Sequence, residues 1–167
     1  MNRSVLIALL ALLSCAPAQA AGGAGMFGQG QTHLMIEAGN GYAFNNGYLI
    51  LGAGVSYYVL DGLGVGLAFE NWSGGTPGIR KITPSAQYVF YQGSSIKPYI
   101  GGFYRHATIT GLPSLNSVGA RAGVYFASGS HAAIGAGIVH ESYLNCQTAI
   151  YATCSESYPE ISAVFSF

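Results

Sequence analysis

The chain has 167 residues, six acidic against six basic side chains, and a formal net charge of +0. Half of its residues are hydrophobic and only 7% are charged, against roughly 25% in ordinary soluble domains. No basic run is present to hold nucleic acid, and so few charges on a small soluble protein would invite precipitation. Lipid as solvent removes that difficulty, because one face of each element should then be apolar.

The first twenty residues read as an export leader. Met1-Asn2-Arg3-Ser4 supplies one basic residue, residues 5–13 are aliphatic, and Ala18-Gln19-Ala20 is a small-x-small cleavage pattern. The aliphatic run is far shorter than the roughly 20 residues of a helical membrane span. Leu12-Leu13-Ser14-Cys15 offers a competing lipoprotein pattern in which Cys15 would carry the lipid. Three segments are expected: a signal peptide at 1–20, a flexible Gly/Ala-rich lead-in at 21–31, and a membrane domain at 32–167.

From Thr32 the chain alternates with period two, the signature of strands with one oily and one wet face. The first strand puts Leu34, Ile36 and Ala38 outward and His33, Met35 and Glu37 inward. Asn45-Asn46-Gly47 signals a tight turn. The second carries Leu49, Leu51, Ala53, Val55 and Tyr57 outward. Leu60-Asp61-Gly62 turns the chain into a third strand with Val65, Leu67 and Phe69 outward and Glu70 inward. Residues 73–81 read as a longer polar loop. The fourth strand has Ala86, Tyr88 and Phe90 outward; the fifth has Ile100 and Tyr104 outward with Tyr99, Phe103 and Arg105 inward. After a loop at 110–116, the sixth sets Val118, Ala120, Ala122, Val124 and Phe126 against Gly119, Arg121, Gly123 and Tyr125. The seventh has Ile134, Ala136 and Ile138 outward and Val139 and Glu141 inward. Residues 145–157 form the longest loop. In the eighth strand, Ile161, Ala163, Phe165 and Phe167 alternate with Glu160, Ser162 and Ser166, and only Val164 breaks the rule.

Eight strands of about ten residues predict an all-β fold: an eight-stranded antiparallel transmembrane up-and-down barrel, closed because unpaired edges are not tolerated in lipid. Turns after strands two, four and six are short, those after three, five and seven longer, and the one after strand one is the exception. Glu37, Glu70, Arg105, Arg121, Glu141 and Glu160 all fall on the face opposite the apolar one. On the lipid face, each Arg would cost about 2–4 kcal/mol at mid-bilayer. An eight-stranded interior is just wide enough to be filled by side chains. The six charges are therefore expected to form an ion network in a plugged lumen, packed by Tyr58, Tyr99, Phe103 and Tyr125 opposite inward glycines. Cys146 and Cys154, the pair left after leader cleavage, are expected to form a disulfide in the last loop. His33, His106, His131 and His140 are scattered, so neither a metal site nor a cofactor is expected. Gly62-x-Gly64-x-Gly66 lies inside a strand and is no dinucleotide fingerprint.

The leader, the alternation, the turn asymmetry and the terminal Phe167 together resemble the small eight-stranded bacterial outer-membrane barrels. That resemblance implies residence in the outer membrane with both termini periplasmic. It also implies contact with the lipid bilayer and lipopolysaccharide, recognition of Phe167 by the outer-membrane assembly machinery, and a monomer. Within this class, His140-Glu141-Ser142 with Glu156-Ser157-Tyr158 resembles the lipid A deacylases, barrels with a His-x-Ser pair on strand seven and a glutamate opening strand eight. Ser94-Ile96-Lys97-Pro98-Tyr99 resembles the entry to their fifth strand. Carried over, Ser142 would be the nucleophile, His140 the general base and Glu156 the orienting acid. Tyr143 stands where that family has an asparagine, and Glu156 shares parity with inward Glu160, so a bulge is required to turn it outward. Three functions follow as expectations: a structural or surface-contact barrel with no catalytic residues, an esterase using His140, Ser142 and Glu156, and a narrow channel for small solutes.

Overall fold

A computed structural model gives the fold over residues 25–92, 95–128, 130–144, 146 and 153–167. The expected signal peptide, Cys15 and residues 21–24 of the lead-in lie outside the described residues, as does Ser94. Eight strands are present: β1 (Thr32–Ala43), β2 (Asn46–Leu60), β3 (Leu63–Ser73), β4 (Ile79–Val89), β5 (Ile96–Ile109), β6 (Leu115–Ser128), β7 (Ala132–Tyr143) and β8 (Ser155–Ser166). Each pairs antiparallel with its sequence neighbour, and β1 pairs with β8 to close the barrel. One end of the barrel, the terminal end, is where β1 begins and β8 finishes. The other, the loop end, carries the β3–β4, β5–β6 and β7–β8 connections and the tight β1–β2 hairpin.

The two faces separate as the alternation requires. Ile138 is 65% exposed on the outside of β7, whereas Glu141, three residues on, is 1% exposed inside it. Leu51, Val55, Leu67, Ile82, Ile100 and Ile134 continue the exposed apolar belt around the other strands. Aromatic rings fill the lumen where facing strands offer glycine. A side chain on Gly135 would come within 2.7 Å of the Tyr125 ring, and one on Gly119 would overlap the Phe103 ring. Tyr99 stacks on Tyr125 at 4.6 Å between centroids.

The stretch expected to be a flexible lead-in is, from residue 25, a plug. Gly25–Phe27 forms a short 3-10 helix whose Met26 and Phe27 are buried in the terminal end. Phe27 packs on His33, Tyr58 and Tyr125, and His33 Nε2–H donates to the Met26 carbonyl at 2.6 Å. Backbone bonds lash the segment to the barrel: Gly30 N to Tyr58 O (2.9 Å), Tyr58 N to Gln31 O (3.0 Å) and Gly62 N to Phe27 O (2.8 Å). Val164, the apolar residue out of phase in β8, is 4% exposed and belongs to this same cluster. Its place on the inner face is an oily contact for the plug.

Several boundaries differ from expectation. β5 runs on to Ile109, β6 begins at Leu115 inside the expected loop at 110–116, and β8 begins at Ser155 inside the expected loop at 145–157. β4 begins at Ile79, so Arg80 and Lys81 lie in a strand and not in the loop at 73–81. The β1–β2 turn is centred one or two residues earlier than expected, on Phe44 and Asn45, both at positive φ (49° and 59°). Two successive left-handed residues match the right-handed twist of the flanking strands.

The β1–β8 joint is shorter than the others. Its ladder runs only from His33↔Ser166 to Ile36↔Ala163, whereas β1 is paired with β2 along its whole length, Thr32↔Tyr57 to Ala43↔Asn46.

Candidate functional site at the loop end of the lumen

The strand parity that hides charge from lipid also gathers it. Arg105 on β5 is the centre. Its guanidinium pairs with Glu70 on β3 at 3.2 Å and Glu141 on β7 at 2.6 Å. Nε donates to Thr83 Oγ1 on β4 at 3.1 Å, and Nη1 donates to the Tyr158 hydroxyl on β8 at 2.9 Å. Glu141 is held further by the Ser117 and Tyr158 hydroxyls, and Glu70 accepts from Trp72 Nε1 at 3.1 Å. Side chains from β3, β4, β5, β6, β7 and β8 thus meet across the lumen. A second layer, nearer the terminal end, pairs Arg121 with Glu160 at 3.3 Å. The Phe103 ring lies between the layers, 4.8 Å from the Arg105 guanidinium and 5.1 Å from that of Arg121. Glu37 is also luminal, beside Gly52, and forms no ion pair among the described residues. Buried charges need such partners, because unpaired they cost several kcal/mol each.

Below the network the lumen is filled: the cavity there, among His33, Ser56, Gln87 and Arg121, is about 30 Å³, on the order of a single water. Above it the barrel opens into a vestibule of about 610 Å³. Arg105, Ser117 and Glu141 form its floor, and Ile79, Ala107, Ile109 and Leu115 its walls. These four are part of one apolar cluster with Tyr48, backed by Phe44 and Trp72. Lys81 enters from β4 with Nζ 4.0 Å from the centroid of the Trp72 ring. It takes part in no ion pair among the described residues.

No protein-family model and no curated protein matches the chain. Among solved structures it is similar to the N-terminal β-barrel domain of Pseudomonas aeruginosa OprF, with a TM-score of 0.67 and 16% identity, over 84% of this chain and 99% of that one. It is similar also to Neisserial surface protein A, with a TM-score of 0.53 and 17% identity, over 81% of this chain and 93% of that one. The chain has the fold of the small eight-stranded outer-membrane barrels.

Residues of β7 and β8 alternate between the lumen and an outward face, where Ile138 and Ile161 are exposed. His140 and Ser142 both lie on that face, aligned with Ser157 and Ser155 of β8. Glu156 does not join them. The β7–β8 register runs without a bulge there, Glu141↔Glu156, and the Glu156 carboxylate accepts from the Tyr143 hydroxyl at the rim of the vestibule. His140 Nδ1 is hydrogen-bonded instead to Ser157 Oγ at 2.9 Å. The expected arrangement of His140, Ser142 and Glu156 is therefore not assembled, for the parity reason that a two-residue period imposes. Cys146 and Cys154 form the expected disulfide, with Cα atoms 5.6 Å apart. No group of three or more potential metal ligands exists among the described residues.

Of the six luminal charges read from sequence, five form the two ion layers. The vestibule was not foreseen. Its walls come from residues 107, 109 and 115, assigned to loop or left beyond the fifth strand, and its lysine from the loop at 73–81. The available signal was continued alternation: Arg105, Ala107 and Ile109 keep one parity straight through the expected end of the strand.

Proposed function

We propose that this protein resides in the bacterial outer membrane, its termini periplasmic and its loop end external. There it serves envelope integrity or surface contact rather than conduction. The observation that carries this reading is the filled lumen: the Phe27 plug closes the terminal end, and the Arg105–Glu141 network ties six strands together across the lumen nearer the loop end. The exposed apolar belt suits the lipid bilayer, the loop end suits lipopolysaccharide, and Phe167, next to the last residue of β8, is the residue for the assembly machinery. The disulfide between Cys146 and Cys154 restrains the connection placed to touch the surroundings. Planar-bilayer recording of the purified protein tests it. The expected trace has no open-channel steps; steady unitary conductance would overturn the reading in favour of a narrow channel.

A second reading rests on the His140–Ser157 bond, a histidine–serine pair on the outward face near the loop end. It suits an esterase acting on lipid A acyl chains. Mass spectrometry of lipid A from cells expressing the wild type, His140→Ala, Ser142→Ala or Ser157→Ala tests this. An acyl chain lost with the wild type and retained with the variants supports it. Identical lipid A from all four removes it.

A further inference from the structure

We propose that the vestibule binds a small anionic amphiphile of the fatty-acid class, its hydrocarbon body against the apolar walls and its carboxylate on Lys81. The inference goes beyond the structural reading above and does not require it.

The walls supply the first argument. The luminal face of a barrel mouth meets water, and polar side chains are the expected lining. Here Ile79, Ala107, Ile109 and Leu115, from three consecutive strands, form one apolar surface. The cavity they bound, about 610 Å³, lies within the range of small-molecule sites, roughly 300–1,000 Å³.

The polar groups decide the head. On the floor, Arg105 is engaged by two carboxylates, a threonine and a tyrosine, and Glu141 by Arg105, Ser117 and Tyr158. Those groups satisfy one another. Glu156 on the opposite side accepts from Tyr143. Lys81 differs. Its ammonium has three donors and rests on the Trp72 ring, with no carboxylate within ion-pair distance among the described residues. Contact with a ring face attracts a cation without using its N–H groups as a carboxylate would. A neutral amphiphile would leave that ammonium unanswered, and a cationic one would be repelled by it. A carboxylate would complete it, with the alkyl chain lying along the walls.

Trp72 is the chain's only tryptophan, so its emission reports the site directly. The full-length mature protein in phosphatidylcholine nanodiscs is titrated with octanoate, octanol and octyltrimethylammonium, and the affinities are repeated by calorimetry. Octanoate should give a saturable change in Trp72 emission, with affinity about tenfold above the other two, as a charge-assisted hydrogen bond would give. Lys81→Met should abolish that preference and Lys81→Arg retain it, each on protein that keeps its heat-modifiable gel mobility. Ala107→Phe, which fills the cavity from the position paired with Lys81 across β4 and β5, should weaken all three probes. A linear response equal to that of empty nanodiscs, equal affinity for the three probes, or an unchanged octanoate affinity in Ala107→Phe would each overturn the proposal. So would a preference that survives in folded Lys81→Met. Should Lys81→Met not fold, the ranking of probes and the Ala107→Phe result decide the matter. Conductance recordings do not enter, so failure here is distinct from failure of the structural reading.

Discussion

Replacing Arg105 by methionine removes the one cation shared by Glu70 and Glu141. Both ion pairs are nearly dry, with side-chain exposures of 7% and 9% for Arg105–Glu70 and 7% and 1% for Arg105–Glu141, so solvent screening does little to soften the change. Breaking a buried pair by deleting one partner costs about 3–5 kcal/mol, because the remaining charge stays desolvated. Glu141 would keep two donors, Ser117 and Tyr158, and Glu70 would keep Trp72, which places the loss toward the lower figure. The measurement is equilibrium urea unfolding in lipid vesicles, followed by Trp72 fluorescence. Arg105→Met should lower stability by about 3 kcal/mol. Adding Glu70→Gln and Glu141→Gln to it should recover more than half of the loss, since neither position then carries a charge stripped of its partner. A single variant within about 1 kcal/mol of wild type, or a triple variant no better than the single, would show that the network is not held by charge compensation.

Three further outcomes follow from other parts of the molecule. Ile138→Arg puts a cation on the outward face at a 65%-exposed position and should cost about 2–4 kcal/mol in vesicles; equal stability of variant and wild type would place that face away from lipid. Phe27→Ala empties the plug of its largest ring and should cost about 3 kcal/mol, with faster amide exchange at Tyr58, whose N–H bonds Gln31 O; unchanged exchange would show the plug is not held by that ring. Cys146→Ser releases a loop whose disulfide joins residues eight apart and should cost that loop about 2–3 kcal/mol. Protease should nick between the two cysteine positions sooner, while heat-modifiable migration stays as in wild type.

The barrel was legible because an apolar exterior and a polar lumen impose the same two-residue period on every strand, and the six luminal charges from Glu37 to Glu160 obey it. Individual strands were legible wherever both faces were chemically distinct. The plug was not, because residues 21–31 are dominated by glycine and alanine, whose composition reads as loop; Met26 and Phe27 together with out-of-phase Val164 were the trace it left. The vestibule escaped for a related reason. At the loop end the inner face turns apolar at Ile79, Ile109 and Leu115, so the contrast that marks a strand fades there although the strand continues. The disulfide needed no geometry to foresee, since the two cysteines outside the expected leader have one pairing. The position of Glu156 needed only its parity with Glu160.

In the outer membrane proposed for this protein, the short β1–β8 joint constrains how the cylinder would sit. Beyond Ile36↔Ala163, residues 37–43 of β1 and 155–162 of β8 have no ladder partner across that seam, so the alternate amides and carbonyls that face it, the rest being turned to β2 and β7, must be met by something other than each other. Hydrocarbon cannot do this, whereas water and phosphate headgroups can. On this flank the acyl layer must therefore stop lower than around the opposite staves, so that the barrel either leans or draws the bilayer thin on one side. Hydrogen exchange should begin at those amides, which makes this flank the first to part when the barrel opens.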